Sequence, residues 1–164
     1  MTETNFEATP PKKHRSRVGT AFHRLGSPPH FYALAGKLVP WAGGLSALFF
    51  AYSLYAGLVI APTDYEQGES FRIIYVHVPS AWLSMLAYAI LAACGAISLI
   101  WRMKLAESLA RACAPIGASY TFLALVTGSI WGKPMWGTWW VWDARLTSML
   151  VLLFLYLGYM ALNN

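Results

Sequence analysis

Tryptophan is concentrated in one short stretch of this sequence, where five of the eight tryptophans lie between Trp131 and Trp142. Three charged side chains lie in this stretch or directly after it: Lys133, Asp143 and Arg145. Indole rings offer flat apolar faces, and an arginine can pair with a carboxylate through two hydrogen bonds. A large, flat, apolar ligand with anionic edges would therefore suit this stretch. No second carboxylate, Ser–His pair or phosphate-binding loop accompanies Asp143, so the pattern predicts binding and not an enzyme.

The indoles of this stretch could form an aromatic platform in either of two conformations. They are Trp131, Trp136, Trp139, Trp140 and Trp142. In a helix, Trp136, Trp139 and Trp140 would share a face. In an extended segment, Trp136, Trp140 and Trp142 would share one instead. An alternative to the platform is an interfacial aromatic belt, although a belt needs only one or two rings at each helix end.

His77 is the histidine that could bind a metal, because the other three lie in the basic N-terminal stretch. It precedes Pro79 by two residues, near the predicted mouth of a helix. Neutral imidazole is a standard axial ligand of haem iron, and an ionisable residue at membrane depth is a functional candidate. The alternative is a histidine that only hydrogen-bonds a carbonyl. Arg145 and Lys133 could pair with carboxylates of a ligand. The alternative is that each is an interfacial cation that extends towards the lipid headgroups.

The elements that must position these residues are membrane helices. The chain is 57% hydrophobic and 12% charged, whereas about a quarter of the residues in a soluble domain are charged. Four stretches have no Asp, Glu, Lys or Arg: 38–63, 73–101, 112–132 and 146–164. Each approaches or exceeds the roughly 20 residues that a spanning helix needs. We therefore predict an all-α integral membrane protein with four transmembrane helices, at about 41–60, 79–101, 112–131 and 144–162.

The charge distribution predicts the orientation of these helices. Six of the twelve lysines and arginines precede residue 38, as expected for a segment that stays in the cytoplasm. Residues 1–37 are thus predicted to be a cytoplasmic basic tail and residues 38–164 a membrane domain. His77 and the extracytoplasmic Trp-rich segment 131–147 then share the outer side. The net charge of +5 follows from this tail, so nucleic-acid binding is not predicted.

Residues 131–147 match at every fixed position the pattern Trp-Gly-x-Pro-x-Trp-Gly-x-x-Trp-x-Trp-Asp-x-Arg-Leu-Thr. This pattern resembles the WWD motif of the haem-handling proteins of cytochrome c maturation. Residues 75–82, which include His77, resemble the first extracytoplasmic histidine region of that family. Together the two segments are similar to its haem exporter protein C branch, the cytochrome c maturation C proteins. The resemblance covers about residue 30 to the end.

The resemblance implies non-covalent binding of haem b at the outer face of a bacterial inner membrane, with a mitochondrial inner membrane as the alternative. His77 would ligate the iron and the Trp-rich segment would hold the macrocycle. The residues implied to bind haem are His77, Trp131, Trp136, Trp139, Trp140, Trp142, Asp143 and Arg145. The implied partners are membrane lipid, a periplasmic haem chaperone that receives the haem, ATP-binding cassette subunits and a small membrane subunit. The family performs no known catalysis itself.

The family pattern also continues beyond Asn164, with two more helices and a second extracytoplasmic histidine. We therefore expect either that this sequence is a fragment or truncated product, or that another group, such as Met135, completes the iron coordination. A different class of function stays open as well. In that interpretation the chain is a structural or assembly subunit whose indoles form an interfacial belt and bind no ligand.

Overall fold

The computed structural model describes residues 27–163, and the long helices in this part of the chain number four. They are α1 (Pro28–Tyr55), α2 (Ile74–Trp101), α3 (Lys104–Trp136) and α4 (Ala144–Leu162). A π-helical turn, Ala56–Ile60, extends α1, and a 3-10 turn, Glu69–Ile73, leads into α2. All four helices are long and apolar enough to cross a membrane. The prediction of an all-α membrane protein with four such helices is confirmed.

Three helices are longer than the sequence predicted, whereas the fourth agrees with its prediction. α1 and α2 begin before residues 41 and 79, and α3 extends beyond 112–131 at both ends. The predicted bounds followed the charged residues, which mark where lipid ends but not where backbone hydrogen bonds end. Pro79 therefore lies inside α2 and does not begin it. The carbonyl that its missing N–H leaves free is that of Tyr75, at the very start of the helix.

The predicted tail, residues 1–37, lies mostly outside the described residues. Its last ten residues belong to α1, because that helix begins at Pro28. Its cytoplasmic location stays a prediction. We call one end of the molecule the His77 end: there α1 finishes, α2 begins, α3 finishes and α4 begins.

Small residues hold α2 and α3 close together. One cluster of buried residues contains Ala87, Ala114, Ala118 and Tyr156, and a second contains Cys94, Ala106 and Ala110. Without large side chains between them two helix backbones can approach closely, which is how membrane helices gain van der Waals contact. This closely packed pair of helices forms one side of the candidate site.

Buried hydrogen bonds join three of the helices. The hydroxyls of Ser84 on α2 and Thr121 on α3 are 2.5 Å apart, and Thr121 also donates to the carbonyl of Gly117. Tyr156 on α4 donates from its hydroxyl to the carbonyl of Ser84, at 2.9 Å. Since lipid offers no competing partners, polar groups at this depth pair within the protein. The network fixes α4 against the α2–α3 pair.

α1 is attached to the rest of the described chain mainly at its C-terminal end. The Arg72 Nη1 donates to the carbonyls of Gly57 and Leu58, at 3.1 Å and 2.6 Å. Arg72 also pairs with Glu69, and Gly57 is buried beneath the ring of Tyr75. Most side chains of α1 are exposed along its length. Arg72 thus satisfies carbonyls that the helix end would otherwise leave without partners.

Candidate functional site

A cavity of about 550 Å³ opens at the His77 end, between α2, α3, α4 and the loop before α2. This volume falls in the range of about 300–1,000 Å³ typical of ligand sites. Its lining is mostly apolar. The polar and aromatic side chains that reach it include those of Gln67, His77, Trp131, Trp136, Asp143 and Arg145. Three consecutive helices and the loop before them therefore bring most of the candidate residues to one place.

The imidazole of His77 is held through its Nδ1 atom. This atom lies 3.1 Å from the carbonyl oxygen of Ala124 and 3.1 Å from the hydroxyl of Thr127. A carbonyl oxygen can only accept, so the ring proton is assigned to Nδ1 and Nε2 keeps its lone pair. Metal-binding histidines are oriented in the same way, by a carbonyl that accepts from the other ring nitrogen.

Two neighbours confine the ring of His77 further. Gly128 lies against the imidazole, and a Cβ atom at this position would come within 3.0 Å of His77 Cε1. The ring of Trp131 meets that of His77 edge to face, with 5.7 Å between centroids and 71° between planes. The indole Nε1 of Trp131 in turn donates to Gln67 Oε1 at 2.9 Å.

Sequence reasoning missed Gln67 and Gly128. Gln67 is an uncharged residue in a loop whose sequence matches no binding motif, and Gly128 has no side chain that could bind a ligand. One signal for Gln67 was available: Asp64 and Gly68 around it are residues that favour tight turns. Met135, which the sequence suggests as an alternative ligand for iron, also lines the cavity.

The Trp-rich segment adopts neither of the two conformations throughout. Residues 131–136 end α3, and Gly137 then turns the chain with a φ of +73°. Residues 138–143 have no regular structure. The helical face shared by Trp136, Trp139 and Trp140 is therefore absent, because α3 stops at Trp136. Trp140 and Trp142 do contact each other, edge to face at 5.5 Å, as neighbours on one side of an extended segment would.

The five indoles divide into two groups. Trp131 and Trp136 line the cavity, whereas Trp139, Trp140 and Trp142 lie outside its lining. Trp142 is 75% exposed, and the Trp139 ring has the ammonium of Lys133 5.8 Å from its centroid. The Nε1 atom of Trp140 is buried without a hydrogen-bond partner among the described residues. Three predicted haem-binding tryptophans are thus placed apart from the cavity.

The charged residues form a cluster at the start of α4. Asp143 Oδ1 accepts from the backbone N–H of Leu146 at 2.8 Å, so Asp143 is the N-cap of that helix. Asp143 Oδ2 accepts from two nitrogens of Arg145, at 3.2 Å and 2.9 Å. The hydrogen bonds from Leu146 and Arg145 both lower the pKa of Asp143, and the one from Leu146 has the larger effect. The guanidinium of Arg145 also lies 5.6 Å from the ring centroid of Trp136.

This arrangement provides one nitrogen lone pair, two indole walls and one cation around an apolar space. The fold and the site define a multi-helix membrane protein with an aromatic-walled ligand cavity at one end of its bundle. The model of the family described as "Heme exporter protein C" matches residues 21–164. The chain belongs to this family.

Individual relatives agree with the family match. "Heme exporter protein C" of Escherichia coli (strain K12) is 56% identical over 85% of this chain and 57% of the relative. The protein of the same name from Haemophilus influenzae is 52% identical over 87% and 58%. A ccmC-like mitochondrial protein of Marchantia polymorpha, named for cytochrome c biosynthesis, is 52% identical over 66% and 47%. The chain spans about half the length of the curated relatives it matches.

Proposed function

We propose that this chain binds haem as its cargo and presents it for the biogenesis of c-type cytochromes. The observation that carries the proposal is the state of His77, whose Nδ1 faces a carbonyl while the residue lines an apolar, Trp-walled cavity. A single neutral imidazole suits a metal whose four equatorial positions are already occupied by a macrocycle, as in haem. The names of the relatives, heme exporter and cytochrome c biosynthesis, support the same ligand.

Each part of haem has a matching group in the cavity. His77 Nε2 is the proposed axial ligand of the iron. Trp131 and Trp136 supply aromatic contact with the macrocycle, each worth about 0.5–1.5 kcal/mol beyond the burial of apolar area. Arg145 is the proposed partner of a propionate. Its side chain is 77% exposed, so it can exchange Asp143 for a carboxylate of the ligand without desolvation of a buried charge.

The proposed location is the outer face of a bacterial inner membrane, with the N-terminus in the cytoplasm. The basic N-terminal stretch supports this orientation. The loop and 3-10 turn at the His77 end agree with it, since they carry Asp64, Glu66 and Glu69 against one cation, Arg72. We propose that haem b is bound non-covalently and passes to a periplasmic haem chaperone, with ATP-binding cassette subunits and a small membrane subunit as further partners. In this role the chain is a carrier and not an enzyme.

A second function is favoured by the indoles outside the cavity. Trp139 and Trp142 are exposed, as the rings of an interfacial belt in a structural subunit would be. The two functions differ in what substitution does. If haem binds, Trp136→Leu lowers the haem content of the folded protein and Trp142→Leu changes it much less. If the chain is only a structural subunit, neither substitution alters the haem content.

The experiment that tests the proposal compares two histidines. The protein is purified in detergent with added hemin, and haem per folded protein is measured from the Soret band and by extraction. His77→Ala is expected to lose most of the bound haem and to shift the Soret maximum of the remainder. His30→Ala is the matched control, because His30 is an exposed histidine of α1 that hydrogen-bonds Ser27. An unchanged Soret band in His77→Ala would exclude His77 as a ligand.

A further inference from the structure

We infer that Gln67 is a positioning residue for the metal-binding imidazole, acting through Trp131. The inference rests on the proposed function, in which His77 binds haem iron. Gln67 Oε1 accepts from Trp131 Nε1 at 2.9 Å, and the Trp131 ring packs against His77 at 5.7 Å. Two contacts therefore connect the loop before α2 to the proposed axial ligand.

The loop that carries Gln67 is itself closely held. Asp64 Oδ1 accepts from the backbone N–H groups of Glu66 and Gln67, at 2.9 Å and 2.8 Å. The N–H of Gly68 donates to the carbonyl of Asp64 at 2.9 Å, and Gly68 has a φ of +58°, which favours glycine. This Asx-type turn fixes the backbone of Gln67 before any ligand binds. The side-chain amide oxygen of Gln67 therefore accepts from Trp131 at the end of a backbone that the turn holds in place.

Trp131 needs such an acceptor. Its indole N–H is its only polar side-chain group, and it lies at the wall of an apolar cavity where alternative acceptors are scarce. The hydrogen bond from this N–H to Gln67 favours one orientation of the Trp131 ring. The edge-to-face contact then holds His77 on the side that the Ala124 carbonyl and Gly128 leave open.

Removal of the acceptor should loosen both rings. With leucine at position 67, the Trp131 N–H would have to reach for water, and the ring would leave its packed orientation. His77 would keep its hydrogen bond to Ala124 but would lose the neighbour that limits its rotation. An axial ligand that is free to rotate forms a weaker bond with iron, because fixed orientation is part of what a metal site gains from its surroundings.

The first measurement uses no haem. Diethyl pyrocarbonate modifies unprotonated imidazole nitrogens, and mass spectrometry of peptides separates His77 from the other histidines. In Gln67→Leu we expect faster modification of His77 and an unchanged rate at His30. Gln67→Glu keeps an oxygen acceptor at the same position and should stay close to the parent. If Gln67→Leu is modified at His77 at the rate of the parent, the inference is wrong.

The second measurement uses haem-loaded protein. Transfer of haem to excess apomyoglobin gives the dissociation rate, which in Gln67→Leu should rise about 2- to 12-fold, the range that one hydrogen bond supplies. Trp131→Phe removes the donor from the other side and tests the same contact if Gln67→Leu fails to fold. If the hydrogen bond is the route, adding Gln67→Leu to Trp131→Phe should have no further effect on the rate. Full additivity of the two changes would overturn the inference.

The two measurements separate this inference from the function on which it rests. A parent protein that binds no haem would contradict the proposed function, while the modification rate of His77 would still decide the role of Gln67. A parent that binds haem, with both rates unchanged in Gln67→Leu, would leave the function standing and exclude Gln67 as a positioning residue.

Discussion

The imidazole of His77 lies directly against the bare α-carbon of Gly128 on the neighbouring helix. A Cβ atom built there would come within 3.0 Å of His77 Cε1 and 3.5 Å of His77 Nδ1. Because the same ring is hydrogen-bonded to Ala124 on that helix, it cannot retreat without stretching that bond. The close approach of α2 and α3 at this point is therefore part of the site.

Gly128→Ala should weaken haem binding through this contact. The added methyl group forces the imidazole to move away from its present position. A displaced axial ligand binds iron less well, so haem affinity should fall roughly tenfold, which corresponds to about 1.4 kcal/mol of binding free energy. Hemin titration followed at the Soret band measures the change. Gly95→Ala is the matched control, since a Cβ atom there meets nothing within 4 Å. Equal affinities for the two variants would show that the close contact with Gly128 does not position His77 for haem.

Asp143 should make the stability of α4 depend on pH. Its carboxylate accepts from Leu146 N–H and from Arg145, which lowers its pKa below the ordinary value of about 3.9. A lowered pKa stabilises the folded state fully above the ordinary value, and the contribution is lost as pH falls through the folded-state pKa. In detergent, the melting temperature of Asp143→Ala should therefore be lower than that of the parent at neutral pH. The difference between the two melting temperatures should become smaller as the pH falls.

Asp143→Asn distinguishes the cap from the charge. Asparagine keeps an oxygen that can accept from Leu146 N–H, but it carries no negative charge for Arg145 or for the helix N-terminus. Its melting temperature at neutral pH should lie between those of the parent and Asp143→Ala. A gap between parent and Asp143→Ala that stays constant down to strongly acid pH would show that the carboxylate charge does not stabilise α4.

The helices of this protein could be predicted from its sequence because lipid excludes charge. Four uncharged stretches correspond to the four long helices of residues 27–163. The true ends of α1, α2 and α3 could not be obtained in this way. Helical hydrogen bonds continue past the lipid into polar sequence, so Lys104 and Lys133 both lie within α3.

The site could be predicted only in part. The sequence identified His77, Trp131 and Arg145, which meet around one cavity. It did not separate Trp136 from Trp139, because the division depends on where the chain turns at Gly137. Gln67 was missed for a similar reason. Its role depends on a hydrogen bond to a residue 64 positions away, and no local pattern in a single sequence reports such a contact.

Gly117→Ala should destabilise the packing of α4. A Cβ atom at Gly117 would overlap the ring of Tyr156, which is almost fully buried between the helices. Overpacking of this kind costs about 1–3 kcal/mol of the free energy of unfolding, measurable by titration with sodium dodecyl sulfate in mixed micelles. Gly158→Ala, where a Cβ atom meets nothing within 4 Å, should be neutral or slightly stabilising because alanine favours helix. Destabilisation of both variants by the same amount would argue against a specific Gly117–Tyr156 contact.

Arg72→Ala should release the end of α1. The guanidinium donates to the carbonyls of Gly57 and Leu58 from a side chain that is 17% exposed, and the hydrogen bond to Gly57 is partly buried. Hydrogen bonds to a charged group contribute about 1.5–3 kcal/mol, and amide exchange in residues 56–61 should therefore accelerate at least about tenfold. Arg72→Lys keeps the positive charge but lacks the planar guanidinium, so it should restore only part of the protection against amide exchange.

Arg111→Ala is the control, because the Arg111–Glu107 pair is exposed and such pairs contribute little. If exchange in residues 56–61 is the same in Arg72→Ala and Arg111→Ala, then Arg72 is not what fixes α1 to the His77 end.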